Sequence, residues 1–254
     1  MTPTTRDAGG GERQRLHKRF AAFDRQAAGR WDLANPGTAM IVRERHGRLL
    51  NWMAADHCLP LGDRLILEIG CGVAHESEWL LRQGAVPARL TAVDLAPERL
   101  GLAHARVPVL QLVAADAACL PFQSHLFDLV WVADVFSSVL DSHLAEQMAQ
   151  SVNRVLKPGG FLAWYDFRWR HPLNRAARGI SRQQLAAWFP GYAGRLETVT
   201  LLPPLARRLG RLTPLVYPWL VRVPFLRGHW LGLLRKPDLP AVVASRAEPC
   251  DSSS

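Results

Sequence analysis

The sequence predicts an α/β domain built on a mostly parallel β-sheet with helices on both faces. Three observations support this prediction. A short, β-branched apolar segment runs into a glycine-containing turn, further short apolar segments follow it, and helical patterns separate them. Buried parallel strands read as continuous apolar runs, and strands that alternate with helices are typical of βαβ units. The length of 254 residues suits one such domain with a small appendage.

The turn after the first predicted strand has the features of a cofactor site. Residues 65–69 form the strand, and Gly70 and Gly72 follow it. Glycines let the backbone turn tightly and let a ligand approach closely. Residues 76–83 then have a helical pattern, and a helix N-terminus that faces a glycine turn binds polar cofactor groups.

Two residues beside this turn narrow the choice of cofactor. A dinucleotide fingerprint, G-x-G-x-x-G/A, needs a third small residue for close helix packing, and His75 occupies that position. Glu68 stands two residues before the first glycine, where a carboxylate suits a cofactor with an ammonium group better than one with a diphosphate. An NAD-dependent oxidoreductase is therefore disfavoured, and the sequence also lacks a Tyr-x-x-x-Lys motif.

The downstream segments repeat the alternation of strand and helix. A second strand, residues 89–95, contains Asp94, which lies 22 positions after Gly72. An acidic residue about 20 positions after the glycine turn is placed to bind a ribose diol. Later strands are predicted at residues 109–114, 127–132 and 161–165.

The motifs on these segments resemble those of the class I S-adenosylmethionine (SAM) dependent methyltransferases of the small-molecule type. Residues 68–74 resemble the family's motif I, E/D-x-G-x-G-x-G, with Ala74 in place of the last glycine. Residues 116–122 match the family's D-A-x-x-L-P-F segment, and residues 156–160 form its L-K-P-G-G turn. The clear motifs cover residues 65–166, and the later part of the chain is similar to the methyltransferase domain 11/25-like bacterial subgroup.

The resemblance implies a Rossmann-like, seven-stranded, mostly parallel sheet with strand order 3-2-1-4-5-7-6, one antiparallel strand and an N-terminal helical extension. It implies SAM as the cofactor, with Asp116 facing the adenine amino group; capping of the next turn is the alternative role for Asp116. The implied cofactor-binding residues are Glu68, Gly70, Cys71, Gly72, Asp94, Leu95, Asp116, Ala117 and Ala133. We expect no metal ligands, since the cysteines lack metal-ligand spacing.

The chain divides into five predicted parts. They are a disordered N-terminus (1–11), an N-terminal helical cap (12–58), the SAM-binding core (59–167), a C-terminal part of the same domain with a basic helical insertion (168–237), and a disordered tail (238–254). Within the cap, residues 12–29 and 39–55 have helical patterns, with Thr38 as the N-cap of the second helix and Trp31 as a candidate lid residue. Prolines interrupt the insertion, residues 203–225.

Positive charge is concentrated in the C-terminal part. The chain has 31 Lys and Arg against 22 Asp and Glu, a net charge of +9. Residues 1–153 hold 15 basic and 17 acidic residues, whereas residues 154–254 hold 16 and 5. A solvated, arginine-rich surface is one interpretation, and an anionic acceptor or surface is the other. The insertion is a candidate for weak peripheral membrane contact, although the sequence favours an apolar face that covers the acceptor pocket or packs on the sheet.

Candidate catalytic residues follow from the chemistry of methyl transfer. The displacement at a sulfonium is in line, so the protein chiefly positions the reactants and excludes water, and a hydroxyl acceptor also benefits from a general base. Ligands bind at the carboxyl ends of strands in such sheets, so we predict Tyr165 and Asp166 on the acceptor side, with His143 after the fourth strand. Further candidates are His75, Asp134 and Asp141, and weaker ones are His171 and His229.

The sequence therefore predicts a methyltransferase that acts on an oxygen or nitrogen of a small-molecule acceptor, anionic or sugar-related. A non-catalytic SAM-binding partner subunit is the alternative, and an RNA methyltransferase is less favoured. Nucleic acid is disfavoured because no N/D-P-P-Y/F turn follows the fourth strand and no aromatic and basic residues interleave on a recognisable nucleic-acid fold. The sequence does not define an oligomeric state.

We expect a cytoplasmic location. The four cysteines show no disulfide framework, which is typical of a reducing compartment. No apolar run approaches the roughly 18 residues that a membrane span needs, and the N-terminus lacks the apolar region of a signal peptide.

Overall fold

The computed structural model describes residues 8–26, 32–169 and 176–238, with only the backbone described at residues 8, 9 and 21–26. The candidate lid residue Trp31 and the candidate catalytic residue His171 lie outside the described residues. Residues 1–7 and 239–254, which hold most of the two termini predicted to be disordered, also lie outside them.

Within the described residues, seven strands form one sheet in the order β3-β2-β1-β4-β5-β7-β6. The strands are β1 (Ile66–Ile69), β2 (Leu90–Asp94), β3 (Gln111–Ala114), β4 (Phe127–Ala133), β5 (Leu156–Phe167), β6 (Ala193–Leu201) and β7 (Arg227–Arg235). Neighbouring strands from β3 to β5 are parallel, and β7 is antiparallel to both β5 and β6. The predicted strand order, with one antiparallel strand, is confirmed.

The strand order reverses between β1 and β4, which places a crevice at the carboxyl ends of these two strands. Ile69 pairs with Val93 of β2 on one side and with Val132 of β4 on the other. The chain leaves β1 and β4 for connections on opposite sides of the sheet, so the space between the two connections stays open. Open α/β sheets bind their ligands at such switch points.

The helices occupy both faces of the sheet. They are α1 (Ala8–Gln26), α2 (Pro36–Ala55), α3 (His75–Arg82), α4 (Pro97–Arg106), α5 (Ser142–Val155), α6 (Arg182–Trp188), α7 (Pro203–Arg208) and α8 (Thr213–Leu220). Short 3₁₀ turns occur at Leu61–Asp63, Pro87–Arg89, Phe136–Ser138, Gly210–Leu212 and Pro224–Leu226. No helix of the described segments is long and apolar enough to cross a membrane.

The start of α2 corrects one prediction. Thr38 is not its N-cap; Asn35 is, because the Asn35 side-chain oxygen accepts hydrogen bonds from the backbone N–H of Gly37 (2.9 Å) and of Thr38 (3.1 Å). Pro36 occupies the first helical position, where its missing N–H leaves no partner unsatisfied. The helix therefore begins three residues earlier than its apolar pattern indicated.

Two other helices also differ from their sequence patterns. The helix predicted from residue 12 begins at Ala8 and includes a run of three glycines, because packing of its apolar face, with Leu16 buried against the sheet, outweighs weak local propensity. In the insertion, Pro214 lies at the start of α8 as expected, but Pro218 lies inside that helix rather than ending it.

Two apolar layers sandwich the sheet, as alternation along its strands requires. On one face, Leu67, Val130 and Trp164 pack with residues of α1, α5 and α6. On the other face, Ile66, Trp131 and other residues of the same strands pack with α2, α3 and α4. A third, smaller cluster joins α7 and α8 to α2 and β6 through the buried side chains Ile41, Leu201, Ala206 and Tyr217. The insertion is thereby fixed to the face that carries α2.

Candidate active site

A cavity of about 840 Å³ opens at the carboxyl ends of β1, β2 and β4. Its walls come from the glycine turn after β1, from the strand ends, and from α1, α2, α3 and α7. All the residues that the sequence analysis assigned to the cofactor line this cavity. They are Glu68, Gly70, Cys71, Gly72, Asp94, Leu95, Asp116, Ala117 and Ala133.

The turn after β1 needs glycine at two positions. Gly70 and Gly72 have φ angles of +70° and +56°, in the left-handed region where a Cβ is strained. A Cβ on Gly70 would lie 2.6 Å from a Val135 methyl carbon, and one on Gly72 would lie 2.9 Å from the Arg99 guanidinium. Ala74, which stands where the family motif has its last glycine, also has a left-handed φ of +63°. The backbone geometry expected of a third glycine is thus kept with an alanine.

Glu68 presents a buried carboxyl group at the end of β1. The hydroxyl of Ser77 on α3 donates a hydrogen bond to its Oε2. Burial raises the pKa of Glu68 to about 8, and the neighbouring carboxylates Glu76 and Asp94 add to the rise. A cation that approached this carboxyl group would reverse that effect by favouring its charged form. An ammonium group is therefore a suitable partner for Glu68.

Asp94, at the end of β2, is held by the backbone on both sides. Its Oδ2 accepts a hydrogen bond from Gly72 N (2.8 Å), and its Oδ1 accepts one from Ala96 N (2.9 Å). The side chain is only 4 % exposed. Oδ2 also lies 3.5 Å from the Arg99 guanidinium. A carboxylate held in this way can still accept hydrogen bonds from a diol, because its two oxygens have about four acceptor sites in all.

Asp116, in the loop after β3, caps the following turn and also pairs with the N-terminal helix. Its Oδ1 accepts a hydrogen bond from Ala118 N (2.8 Å), which is the capping role that the sequence left open. Its Oδ2 lies 2.5 Å from the Arg13 guanidinium of α1. Arg15 adds a second link, donating a hydrogen bond to the carbonyl oxygen of Ser138 (2.6 Å). Helix α1 therefore covers one side of the cavity.

The donor and acceptor set of this end of the cavity fits SAM. A buried carboxyl group can receive its ammonium group, a fixed carboxylate can receive its ribose hydroxyls, and Asp116 can receive an adenine amino group. The two glycines keep the backbone close to the ligand. Among the described residues, no group of three or more His, Cys, Asp or Glu side chains is arranged to hold a metal ion.

The cavity wall beside the glycine turn carries a polar cluster that the sequence analysis missed. Arg45 and His46 of α2 both pair with Glu76 of α3, and the distance from His46 Nε2 to Glu76 Oε2 is 2.9 Å. Trp79 stacks on the His46 ring with a centroid distance of 4.1 Å. All four residues line the cavity. Their only signal in the sequence was helical spacing, which put Arg45 on the same face as the buried Leu49.

Burial and the neighbouring charges together set the protonation states of His46 and Glu76 in this cluster. Burial lowers the pKa of His46 below its usual range, despite the opposing effect of Glu76, so its imidazole is uncharged near neutral pH. Burial by itself would raise the pKa of Glu76, but Arg45 and His46 outweigh that effect and lower it. A neutral imidazole beside an ionised carboxylate can accept a proton, as general bases do.

Asp134, a secondary candidate from the sequence, lies on the cavity wall just after β4. Its φ angle is +55°. Its Oδ1 is buried, accepts no hydrogen bond from the described part of the chain, and lies 4.0 Å from His229 Nε2. Burial raises the pKa of Asp134 well above its usual value, and Asp166 adds to the rise. Burial also lowers the pKa of His229 to about 3, so this pair is not an ion pair.

The two favoured catalytic candidates lie behind the cavity wall. The Tyr165 hydroxyl bonds with Thr200 Oγ1 at 3.1 Å, and its ring stacks on His229 at 4.5 Å. Asp166 accepts hydrogen bonds from Ser137 N (3.0 Å) and Phe167 N (2.8 Å). Both residues are about 1 % exposed or less, and neither belongs to the described cavity lining. The structure thus gives both side chains internal partners at the strand end.

The remaining candidates separate into two groups. His75 lines the cavity. His143 lies on the exposed side of α5, within 3.2 Å of Gln147, and the structure does not bring it to the cavity. Asp141 is the N-cap of α5, where its Oδ1 accepts hydrogen bonds from the backbone N–H groups of His143 and Leu144. Strand-end position therefore selected the right edge of the sheet but not which side chains face the cavity.

A sheet of this order, with carboxylates at the ends of β1 and β2, defines a Rossmann-like fold with a ligand site where the strand order reverses. The family described as "Methyltransferase domain" matches residues 67–164. An uncharacterized methyltransferase of Synechocystis sp. (strain ATCC 27184 / PCC 6803 / Kazusa) is 32 % identical over 162 residues, which cover 61 % of this chain and 70 % of that protein. The chain belongs to the class I SAM-dependent methyltransferases, whose cofactor is SAM.

Other relatives are similar over a smaller part. A phthiotriol/phenolphthiotriol dimycocerosates methyltransferase of Mycobacterium leprae (strain TN) is 37 % identical over 110 residues, 42 % of this chain and 39 % of that protein. The chain thus spans about two fifths of the length of such relatives. Among solved structures, the N-methyltransferase NodS from Bradyrhizobium japonicum WM9, bound to S-adenosyl-L-homocysteine, has a TM-score of 0.62 at 20 % identity, over 89 % of this chain and 99 % of that one. That likeness shows the fold.

Proposed function

We propose that the chain transfers a methyl group from SAM to an oxygen or nitrogen of a small-molecule acceptor. One observation carries the proposal: a single cavity is lined by the cofactor motifs, by the polar cluster of Arg45, His46, Glu76 and Trp79, and by Asp134. The residues on both sides of a SAM molecule held by the glycine turn would be fixed in place by the rest of the chain. The acceptor then has a separate, polar place to bind.

The cofactor residues and the polar cluster have different roles in this proposal. When bound, SAM supplies an electrophilic methyl group that the acceptor attacks in line. Glu68, Asp94 and Asp116 hold the cofactor, and α1 excludes water from it. His46, oriented by Glu76 and stacked on Trp79, is the candidate general base that accepts the proton of an acceptor hydroxyl. This assignment replaces Tyr165 and Asp166 in that role, because their hydrogen bonds are internal.

The charge and shape of the acceptor end favour a hydroxylated acceptor with negative charge. Arg45 and Arg207 both line the cavity, and Pro203, Pro204 and Phe167 add apolar wall beside them. Relatives of similar sequence are named for phthiotriol and phenolphthiotriol dimycocerosates, and a triol presents oxygen rather than nitrogen. We therefore propose oxygen, in preference to nitrogen, as the methylated atom. We also propose that the protein is located in the cytoplasm.

Ligand-induced thermal stabilisation tests the cofactor part of the proposal. SAM at about 100 times its dissociation constant adds about 2.7 kcal/mol to the free energy of unfolding, which raises the Tm by roughly 5–10 °C. We expect this rise with SAM and with S-adenosylhomocysteine, and none with NAD. Asp94→Asn should reduce the rise, whereas Asp141→Asn, which alters a carboxylate outside the cavity, should keep it.

Measurement of methyl transfer tests the catalytic part of the proposal. The wild-type protein is incubated with radiolabelled SAM and hydroxylated metabolites, some with and some without a phosphate or carboxylate group, and label transfer is measured. Transfer to an anionic hydroxylated acceptor supports the proposal. Binding of SAM without any transfer would favour the non-catalytic partner subunit, and stabilisation by NAD would contradict the cofactor assignment.

A further inference from the structure

The insertion between β6 and β7 presents an apolar surface to solvent. Leu212, Leu215, Trp219 and Phe225 are 59 %, 71 %, 67 % and 69 % exposed. Three of them recur at helical spacing along α8 and its preceding turn, so they lie on one side of it. Helix α8 has no charged residue, although apolar helices of this kind are usually buried or in contact with lipid.

Packing fixes which side of α8 faces outwards. The Tyr217 hydroxyl donates a hydrogen bond to Glu44 Oε2 on α2 (2.7 Å) and accepts one from Leu201 N on β6 (3.1 Å). Thr213 and Tyr217 are buried on this inner side. The outer side therefore cannot turn inwards to bury Leu215 and Trp219 while these two hydrogen bonds remain.

Exposed arginines surround the apolar residues. Arg208 and Arg211 precede Leu212 in the chain, Arg222 follows Trp219, and the Arg222 guanidinium lies over the Trp219 ring at 4.7 Å. The sequence has no acidic residue between Glu197 and Asp238. We call this surface the basic apolar patch; its residues are Arg208, Arg211, Leu212, Leu215, Trp219, Arg222 and Phe225.

We propose that the basic apolar patch docks on the surface of a bilayer that contains anionic lipids. Leucine, tryptophan and phenylalanine side chains insert at the boundary between headgroups and acyl chains, and tryptophan favours that depth. Arginines beside them attract anionic headgroups. Apolar residues in the centre with cations around them therefore match the two components of such an interface.

A second copy of the chain fits this surface less well. An isologous dimer through the patch would bring its arginines close to the same arginines of the other copy, without an acidic residue in the insertion to neutralise them. Like charges at that distance oppose association. An anionic membrane instead supplies the missing negative charge.

The patch is continuous with the wall of the cavity. Pro203, Pro204 and Arg207 of α7 line the cavity, and Arg208 follows them in the same helix. Docking would thus place this wall of the cavity beside the bilayer. The consequence that the acceptor partitions into that membrane rests on the proposed function, whereas docking itself does not.

Sedimentation with vesicles tests the proposal. The protein is mixed with vesicles of phosphatidylcholine alone, or of phosphatidylcholine and phosphatidylglycerol in equal parts, and the bound fraction is measured at low and high salt. We expect binding to the anionic vesicles that weakens with salt, and little binding to phosphatidylcholine alone. Failure of the wild-type protein to bind anionic vesicles would overturn the proposal.

Matched variants locate the binding surface. Leu215→Ser with Trp219→Ser should weaken partitioning at least about tenfold, whereas Leu102→Ser with Val109→Ser, which alters two exposed apolar residues elsewhere, should not. Arg211→Gln with Arg222→Gln should weaken it about 30-fold, which is about 2 kcal/mol at 1.4 kcal/mol per factor of ten. The double variant Arg89→Gln with Arg182→Gln, which removes the same number of positive charges outside the patch, is the control.

Two further readouts separate the remaining explanations. Stabilisation by S-adenosylhomocysteine should be equal in all these variants, which shows that each is folded and that the cofactor site is independent of docking. Light scattering reports oligomeric state. If the Leu215 and Trp219 changes convert a dimer to a monomer and the wild-type protein ignores vesicles, the patch is a self-interface and the proposal is wrong.

Discussion

The Arg13 guanidinium on α1 lies 2.5 Å from the Asp116 carboxylate in the loop after β3, across 103 positions of sequence. This contact places the N-terminal helix over the part of the cavity that is assigned to adenine. The pair is partly exposed, so its contribution to the free energy of unfolding is small, below about 1 kcal/mol. Its effect should appear in the rate at which the cofactor leaves.

Arg13→Gln should speed dissociation of S-adenosylhomocysteine severalfold and leave the Tm of the free protein almost unchanged. The substitution removes the charge that holds α1 to Asp116, while the burial of Leu16 in the core remains. Stopped-flow fluorescence during ligand chase measures the rate. Lys18→Gln is the control, since Lys18 is a cation of the same helix without such a contact to Asp116; equal rates in all three proteins would contradict the role of α1 as a cover.

Affinity for SAM should rise as the pH increases from 6 towards 8. Burial raises the pKa of Glu68 to about 8, so at pH 6 the free protein must release this proton to pair with the ammonium group. The gain is at most about tenfold for each pH unit. Above about pH 8 the ammonium group of SAM, with an ordinary pKa of about 7.7–8.0, itself loses its proton and affinity should fall.

Glu68→Gln should remove the rising part of this profile and keep the falling part, as measured by calorimetric titration at each pH. The free proteins provide a second comparison. Because the folded-state pKa of Glu68 is raised above its ordinary value of 4.5, the folded state binds more protons, and its stability declines as the pH rises from about 4.5 to about 8. The Glu68→Gln variant has no such titration at this position, so a parallel decline in both proteins would exclude Glu68 as the cause.

His46→Asn should lower kcat for a hydroxyl acceptor by roughly 10²- to 10⁴-fold, the usual contribution of a general base. Affinity for SAM should change little. Since burial lowers the pKa of His46, wild-type kcat should rise with pH through a pKa below the usual histidine value and then stay level. His143→Asn is the matched comparison; a larger loss there would restore the residue that the sequence favoured.

Tyr165→Phe should lower the free energy of unfolding by about 1 kcal/mol, the usual net value of one buried hydrogen bond, and should leave kcat nearly unchanged. The Tyr165 hydroxyl bonds with Thr200 behind the cavity wall, so its loss affects packing rather than the acceptor. Chemical denaturation and steady-state kinetics measure the two effects. A large fall in kcat at unchanged stability would show that this hydroxyl reaches the reacting groups.

The sequence predicted which residues of the proposed cofactor site lie together, because local chemistry determines their positions. Gly70 and Gly72 are needed by the left-handed turn itself, and Asp94 ends a strand whose register places it beside that turn. Each of these residues has its role within a short segment. The sequence pattern therefore carries the information directly.

The acceptor half could not be predicted in the same way. His46 and Glu76 belong to different helices and meet only through packing of α2 against α3. Tyr165 and Asp166 lie at the expected strand end, but strand alternation sends their side chains to the two faces of the sheet instead of into the cavity. Tertiary packing, which leaves little trace in a single sequence, decides both outcomes.

The hydrogen bonds of Asp94 also determine whether its side chain loses conformational freedom during folding or during ligand binding. Gly72 N and Ala96 N hold the carboxylate in one rotamer before any ligand arrives, so the loss of side-chain freedom occurs during folding. Fixing a mobile side chain at the moment of binding typically costs about 0.5–1.5 kcal/mol. In the proposed site a ribose would therefore meet an acceptor that is already ordered, and its binding would not carry this cost.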